Sequence, residues 1–281
     1  MKNEQVRKAS ARNFSKNRFE FGENWRSFVS KVGDEQINLA VSKLQELIPN
    51  FSFANKSALD IGCGSGIHSL ALLKLGCRYV ESFDYDPICV QTTQNLLSLY
   101  SKDFQGDFHV RKFDVLAENK GEKFDVVYSW GVLHHTGNLD LALRKSTEYV
   151  DKDGLFVFAL YRKTVFCRFW KIEKYLYCHS PKSIKLLAQS MYIGAFIVRH
   201  KLFSISKYKR FLAQYHEQRG MDFYTDVKDW LGGYPYESIS PKEVRELMHD
   251  IGFEEVLSVT ENSLGLFGSG CDEYVYKRID L

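Results

Sequence analysis

The chain has 281 residues, 44% hydrophobic and 26% charged, with a net charge of +3 at pH 7. This length suits one large α/β domain with an insertion or two small domains, and so weak a charge does not by itself indicate a nucleic-acid-binding protein. The N-terminus is polar and has no secretory pattern, and the longest apolar run, 191–198, is too short to cross a bilayer, so we predict a cytoplasmic protein. The six cysteines are scattered without zinc spacing, which predicts free thiols and no metal site.

The first 50 residues predict a helical cap. Phe21, Trp25 and Phe28 share one helical face, and such an aromatic stripe more often packs on the core than covers a pocket. Asp34 is the candidate N-cap of a second helix that ends near Pro49.

A short apolar strand at 58–61 is followed by glycines at alternate positions and then by a helical run up to residue 76. Such a turn lets backbone N–H groups approach a ligand closely. The third glycine, Gly66, comes one residue too early for a dinucleotide fingerprint. Asp60, directly before the turn, would repel a pyrophosphate but favour a ligand with an ammonium and a sulfonium. S-adenosylmethionine is such a ligand.

The run at 60–66 resembles the first motif of class I S-adenosylmethionine-dependent methyltransferases. The resemblance implies that five residues of this run surround the cofactor: Asp60, Gly62, Cys63, Gly64 and Gly66. A glycine-rich turn without a ligand is the alternative.

A second strand, 79–83, leads into a cluster of acidic residues. Asp84 lies 22 residues after Gly62, where a carboxylate can bind a ribose diol. We place the following Tyr85 beside the cofactor as well. Asp86 precedes a proline and is interpreted as the N-cap of the next helix.

A third strand is predicted at 108–113, and Asp114 follows it directly. The family resemblance implies that Asp114 accepts a hydrogen bond from the adenine amine and that Val115 lies near the ring. A turn-forming aspartate is an equally good interpretation of Asp114.

The nearly continuous apolar run at 124–130 predicts a central parallel strand. Ligands of open α/β sheets lie beyond the carboxyl ends of the strands, so Trp130 is placed at the cofactor and the following residues face the methyl group and its acceptor. The stretch 124–136 resembles the fourth motif of small-molecule methyltransferases. Because histidine titrates near working pH, His135 and His134 are the candidate bases, although neighbours can hardly both point inward. His216 and Tyr224 are weaker candidates, and a structural role for the histidine pair is an open alternative.

Residues 162–210 carry 12 Lys and Arg and a single Glu, interleaved with aromatic residues. This segment predicts either a helical lid with a solvated basic face or a surface for an anionic acceptor, a membrane or RNA. An ordered aromatic loop at 219–237 follows and could wall an acceptor pocket with four side chains: Arg219, Trp230, Tyr234 and Tyr236.

The chain ends with a capping box that begins at Ser240 and with strands at 255–259 and 273–276. The fold class is therefore α/β: a Rossmann-like, seven-stranded, mostly parallel sheet with helices on both faces, an antiparallel last strand and a helical insertion after the fifth strand. The expected parts are a helical cap (1–50), a cofactor-binding core (51–161), a basic and aromatic insertion (162–239) and the rest of the sheet (240–281).

The function predicted from these motifs is methyl transfer from S-adenosylmethionine to a small-molecule, glycan or lipid-intermediate acceptor, most often at oxygen. The basic insertion would suit an anionic acceptor and peripheral membrane contact, and a nucleic-acid partner is not favoured. The alternatives are an RNA or protein methyltransferase, a nucleotide-binding dehydrogenase, which Asp60 opposes, and a cofactor-binding module without catalysis.

Overall fold

The computed structural model describes residues 19, 21–30, 32–118, 121–219, 222–260 and 270–279, with only the backbone for 216–219. Its strands are β1 (Ser57–Ile61), β2 (Tyr79–Asp84), β3 (Asp107–Lys112), β4 (Phe124–Trp130), β5 (Val150–Tyr161), β6 (Phe253–Val259) and β7 (Cys271–Arg278). They form one sheet in the order β3-β2-β1-β4-β5-β7-β6, in which β7 pairs antiparallel with both β5 and β6 and the other pairs are parallel. The predicted fold class is confirmed.

The helices are α1 (Phe21–Val29), α2 (Asp34–Leu47), α3 (Ile67–Lys74), α4 (Pro87–Leu99), α5 (Leu139–Thr147), α6 (Cys167–His179), α7 (Lys182–Arg199), α8 (Ile205–Arg219), α9 (Phe223–Gly232) and α10 (Pro241–Asp250). A 3₁₀ turn, Leu133–His135, follows β4. Within the described part of the chain, no helix has the length and apolarity needed to cross a membrane.

Side-chain alternation along the strands produces two hydrophobic layers, one on each face of the sheet. Ala58 of β1 packs in the layer that contains α2, α3 and α4, whereas Leu59 packs in the layer that contains α5 and α10. Because both faces are covered, the central strands are largely apolar on both sides, which explains the nearly continuous apolar run of β4. A third cluster, centred on Tyr177 and Phe223, joins the insertion helices.

Two helix starts follow the sequence signals. Asp86 caps α4 by accepting from the Ile88 N–H at 2.8 Å, and the Ser240 capping box opens α10. The N-cap of α2 is Gly33, so the prediction of Asp34 was wrong by one residue. The stretch predicted as a loop at 219–237 contains α9, which Asp222 caps.

Candidate active site

A cavity of about 1100 Å³ lies at the carboxyl ends of the central parallel strands, with α1 and α2 contributing to its wall. A drug-sized ligand typically occupies a pocket of roughly 300–1,000 Å³, so this cavity has room for a cofactor together with part of an acceptor. Its position agrees with the general rule for ligand sites in open α/β sheets.

The glycine turn brings bare backbone to the cavity wall. Gly62 and Gly64 have φ angles of +73° and +51°, a region that favours glycine. A Cβ atom on Gly62 would lie 2.4 Å from Val132 Cγ1. The Gly62 and Cys63 N–H groups both donate to the Phe83 carbonyl, at 2.8 and 3.1 Å, which fixes the turn against β2.

Gly66 has a different role from the first two glycines. It caps α3 with a φ of +82°, and a Cβ atom there would lie 2.9 Å from Thr93 Cα. Gly62, Cys63 and Gly64 line the cavity, but Gly66 lies behind them and allows α3 to pack closely on α4. Its predicted contact with the cofactor is therefore not supported by its position.

Asp84 lies at the end of β2 and lines the cavity. Its two carboxylate oxygens accept from the Gly64 and Asp86 N–H groups at 3.0 and 2.8 Å. Burial raises the pKa of Asp84 to about 6. Each carboxylate oxygen has a further lone pair, so the carboxylate can also accept hydrogen bonds from a ligand diol.

Asp60 lies one layer behind the cavity wall. Strand alternation puts it on the same face as Ala58, beneath α3, where it accepts from Ser69 Oγ at 2.5 Å. Ser69 in turn accepts from Ser82 Oγ at 2.9 Å. Burial raises the pKa of Asp60 to about 7. The predicted direct contact between Asp60 and a cationic ligand is not supported by this geometry, and the side chain instead braces the turn from below.

The remaining predicted cofactor residues, Tyr85, Asp114, Val115 and Trp130, all line the cavity. Asp114 Oδ1 accepts from the Leu116 N–H at 3.0 Å, so it forms a turn and also faces the cavity. Trp130 stacks on Tyr128 with centroids 5.8 Å apart.

The two neighbouring histidines are placed differently. His135 lines the cavity, and its Nδ1 donates to the Pro235 carbonyl at 2.7 Å. His134 is fully buried, and its Nδ1 accepts from the Tyr161 N–H at 3.2 Å. Burial holds the pKa of His134 well below its ordinary value. The prediction of His134 as a catalytic base therefore does not fit its position, whereas His135 fits.

The insertion contributes to the cavity through α9 and the residues after it. Trp230 and Tyr234 line the cavity as predicted. Tyr236 is buried, with its hydroxyl 3.5 Å from Cys167 Sγ, so its predicted role as a wall residue is not supported. The side chain of Arg219 lies outside the described residues. No described residue of the basic segment 162–210 lines the cavity.

Several cavity residues were missed as site residues in the sequence, because they come from helices whose faces sequence alone does not orient: Phe21, Trp25, Gln36, Lys43, His68, Asp226 and Asp229. The aromatic stripe of α1 was visible, but it was interpreted as core packing. Asn24 Nδ2 donates to Asp229 Oδ1 at 2.6 Å, and burial raises the pKa of Asp229 to about 7. Burial also lowers the pKa of His68 to about 4, so this ring is neutral at physiological pH.

The cavity fits a cation-bearing nucleoside better than a phosphate. Three carboxylates surround the glycine turn, with Asp84 in the wall, Asp86 beside it and the buried Asp60 behind it, and they would repel an anion. With the seven-stranded sheet, this arrangement defines a class I S-adenosylmethionine-dependent methyltransferase.

Residues 34–259 match the family model described as "Methyltransferase domain". The chain belongs to this methyltransferase family, and the dehydrogenase alternative is set aside.

Known methyltransferases are similar in sequence to short segments of this chain. A ubiquinone biosynthesis O-methyltransferase of Bartonella tribocorum is 28% identical over 116 residues, 40% of this chain and 44% of the relative. A tRNA U34 carboxymethyltransferase of Shewanella pealeana is 31% identical over 94 residues, 33% of this chain and 28% of the relative. The matches thus span less than half the length of these relatives.

Two solved structures share the fold over nearly the whole chain. Magnesium protoporphyrin IX methyltransferase from Synechocystis, with bound S-adenosylhomocysteine, has a TM-score of 0.55 at 15% identity and covers 92% of this chain and 94% of that one. The N-methyltransferase NodS from Bradyrhizobium japonicum, in complex with S-adenosylhomocysteine, has a TM-score of 0.53 at 12% identity and covers 93% and 100%. S-adenosylmethionine is the cofactor of this family.

Proposed function

We propose that this methyltransferase methylates an oxygen atom of a small-molecule acceptor and that His135 is the general base. The observation that carries the proposal is the bond from His135 Nδ1 to the Pro235 carbonyl. A carbonyl oxygen can only accept, so Nδ1 carries a proton and, in the neutral ring, Nε2 carries the basic lone pair. A hydroxyl acceptor in the cavity can lose its proton to that nitrogen.

S-adenosylmethionine supplies a methyl group that is already activated by its sulfonium. The tasks left to the chain are to align the acceptor, to exclude water and to receive a proton. We assign cofactor binding to Gly62, Cys63, Gly64 and Asp84 and to the further wall residues Tyr85, Asp114, Val115 and Trp130, because all of them line the cavity.

The acceptor half of the cavity is aromatic and acidic. Phe21 lies 5.3 Å from the His135 ring, and Trp230 and Tyr234 add two further aromatic walls. Asp226 and Asp229 are the charges that the insertion contributes there. We infer from these contacts that the acceptor is a largely apolar ring compound with a hydroxyl group, in place of the anionic acceptor expected from the basic segment. The O-methyltransferase named among the relatives supports the choice of oxygen.

The test is the transfer of labelled methyl from S-adenosylmethionine to a panel of phenols and catechols and to a cell extract. We expect label in low-mass products, and His135→Gln should lower turnover by about 10²-fold or more while S-adenosylhomocysteine affinity is unchanged. His109→Gln, an exposed histidine of β3, is the matched control. Normal turnover in His135→Gln would exclude this base.

Methylation of RNA or protein is the second candidate. It is supported by the tRNA-modifying relative and by a 41-residue match, 56% identical, to the ribosomal protein L11 methyltransferase of Legionella pneumophila. Label confined to the macromolecular fraction of the extract would replace the small-molecule proposal with this one.

A further inference from the structure

The helix α7 is 18 residues long and has no buried side chain. Four of its exposed apolar residues follow one another at intervals of three, four and seven, which keeps them on one face of the helix: Ile184, Leu187, Met191 and Val198, each between 51% and 67% exposed. The opposite face, with Ala188, Tyr192 and Phe196, packs on the cluster around Phe223. The helix is therefore held on the protein surface with a second apolar face turned outward.

A second stripe of the same kind runs along α6. Its residues are spaced by four, three and four: Val165, two residues before the helix, then Phe169, Ile172 and Leu176, each at least 58% exposed. Lys174, on the inner side of α6, is buried and donates to the Trp230 carbonyl at 2.5 Å. Both helices thus have a packed side and an exposed apolar side, here called the exposed stripes.

The charges around the exposed stripes are predominantly positive. Arg168 and Lys171 lie on α6, and Lys182, Lys185 and Arg199 lie at the two ends of α7. Between Lys185 and Arg199 no charged residue occurs, and Glu173 is the one acidic residue of 162–210. Exposed aliphatic faces bordered by cations are typical of helices that lie in the interface of an anionic bilayer.

We propose that the exposed stripes of α6 and α7 dock on the surface of a membrane that contains anionic lipids. The two helices lie in the plane of the interface, their apolar side chains enter the acyl boundary, and their Lys and Arg contact lipid phosphates. A second copy of the chain fits less well, because it would bring two strongly basic segments together. RNA also fits less well, because aliphatic residues such as Ile184 and Met191 provide no stacking surface for bases.

The docked surface is connected to the cavity by ring contacts. Phe169 of the exposed stripe lies 5.2 Å from Trp170, and Trp170 lies 5.8 Å from Trp230, which lines the cavity. The stripe of α6 is thus two ring contacts from the acceptor wall. Docking would place that wall next to the bilayer, where an apolar acceptor accumulates, and this consequence rests on the proposed function.

Co-sedimentation with vesicles tests the docking without any acceptor. We expect binding to vesicles of phosphatidylcholine mixed with phosphatidylglycerol, weaker binding to phosphatidylcholine alone, and a loss of affinity in high salt. Leu187→Gln/Met191→Gln on α7, and independently Phe169→Gln/Ile172→Gln on α6, should lower the partition coefficient by about tenfold or more. Leu99→Gln on α4, 76% exposed, is the apolar control and should bind as wild type does.

Charge removal tests the electrostatic part. Lys182→Gln/Arg199→Gln should weaken binding to the mixed vesicles and flatten its salt dependence, whereas Lys242→Gln on α10 should not. Unchanged S-adenosylhomocysteine affinity shows that each variant is folded. No vesicle binding at low salt would overturn the proposal. The proposal would also be overturned if the wild-type protein were a dimer that Leu187→Gln/Met191→Gln converts to a monomer. Preferential binding to a single-stranded RNA over vesicles would overturn it as well. Failure of O-methylation leaves all these readouts intact.

Discussion

Asp84 illustrates how one side chain combines structural and ligand contacts. Its oxygens hold the Gly64 and Asp86 N–H groups, and it also lines the cavity. We expect Asp84→Ala to weaken S-adenosylhomocysteine binding by roughly 1.5–3 kcal/mol, because charge-assisted bonds to the ribose and the brace on Gly64 are lost together. Calorimetry measures this, with the exposed Asp107→Ala on β3 as control. Equal affinities in Asp84→Ala and wild type would exclude the ribose assignment.

Asp60 predicts a pH dependence of stability. Its pKa is raised from 3.8 in the unfolded chain to about 7 in the fold, so the folded state holds the proton more tightly. Between about pH 4 and pH 7 the folded state binds more protons than the unfolded state, and the free energy of unfolding therefore falls as pH rises through this window. Asp84 and Asp229, with pKa values raised to about 6 and about 7, act in the same direction.

The variant Asp60→Asn keeps an acceptor for Ser69 but cannot ionise. We expect it to be more stable than wild type at alkaline pH, by on the order of 1–4 kcal/mol, with the difference shrinking as the pH falls toward 4. Denaturant unfolding of the free protein across this range measures the effect. A constant difference at all pH values would show that Asp60 does not titrate in the window.

The predicted site residues that line the cavity share a simple signal. Asp84 is the last residue of β2, Asp114 lies two residues after β3 and His135 lies five residues after β4, so all three lie near the strand ends that define the cavity edge. Asp60 and His134 were misplaced because one residue of shift along an extended or turning backbone reverses the direction of the side chain. Asp229 could not have been found, since its position depends on how α9 is oriented by Asn24.

Among the elements, α1 connects the two halves of the site. The Gly22 N–H donates to Asp86 Oδ2 at 3.0 Å, Asn24 binds Asp229, and Trp25 covers the glycine turn with its Nε1 3.2 Å from where a Gly64 Cβ would lie. This helix therefore covers the glycine turn and is also tied to α9 of the insertion.

The close approach at Gly22 provides a test of this cap. A Cβ atom there would lie 2.6 Å from both Asp86 Oδ2 and Ile88 Cβ, so Gly22→Val must push α1 away from α4. We expect S-adenosylhomocysteine affinity to fall roughly tenfold, because overpacking displaces the Phe21 and Trp25 walls. Gly33→Ala, whose Cβ has its nearest neighbour at 3.6 Å, is the matched control and should bind normally. Normal affinity in Gly22→Val would mean that α1 does not cover the cofactor.

The bounds predicted from sequence were accurate for a strand that is buried on both faces of the sheet. They were inaccurate where glycine and proline residues indicated a loop. The strand β4 has the predicted bounds, because a strand covered on both sides is mostly apolar along its whole length. The helix α9 was missed because Gly232, Gly233 and Pro235 drew the whole stretch into one loop. Its start signal, Asp222 three residues before Thr225, was nevertheless present.

On the scale of the whole molecule, the basic segment 162–210 differs from the rest of the chain in charge and in packing. The basic segment 162–210 outweighs the net charge of +3, so the remainder is acidic, and the cavity belongs to the acidic part. Sequence located this asymmetry but not its direction: most cations of the segment are exposed to solvent, whereas Lys174 is buried and Asp226 and Asp229 line the cavity. Charge totals cannot reveal orientation, which depends on how the helices pack.

The same division predicts unequal local stability. Val126 and Val127 of β4 are fully buried, whereas α7 has no buried side chain, so opening α7 exposes little apolar surface. In hydrogen exchange of the free protein, we expect α7 amides to exchange at least about 10²-fold faster than those of β4. S-adenosylhomocysteine should slow exchange in α1, which lines the cavity, and leave α7 unchanged. Exchange in α7 as slow as in β4 would contradict this division, because it would require the insertion to unfold only together with the sheet.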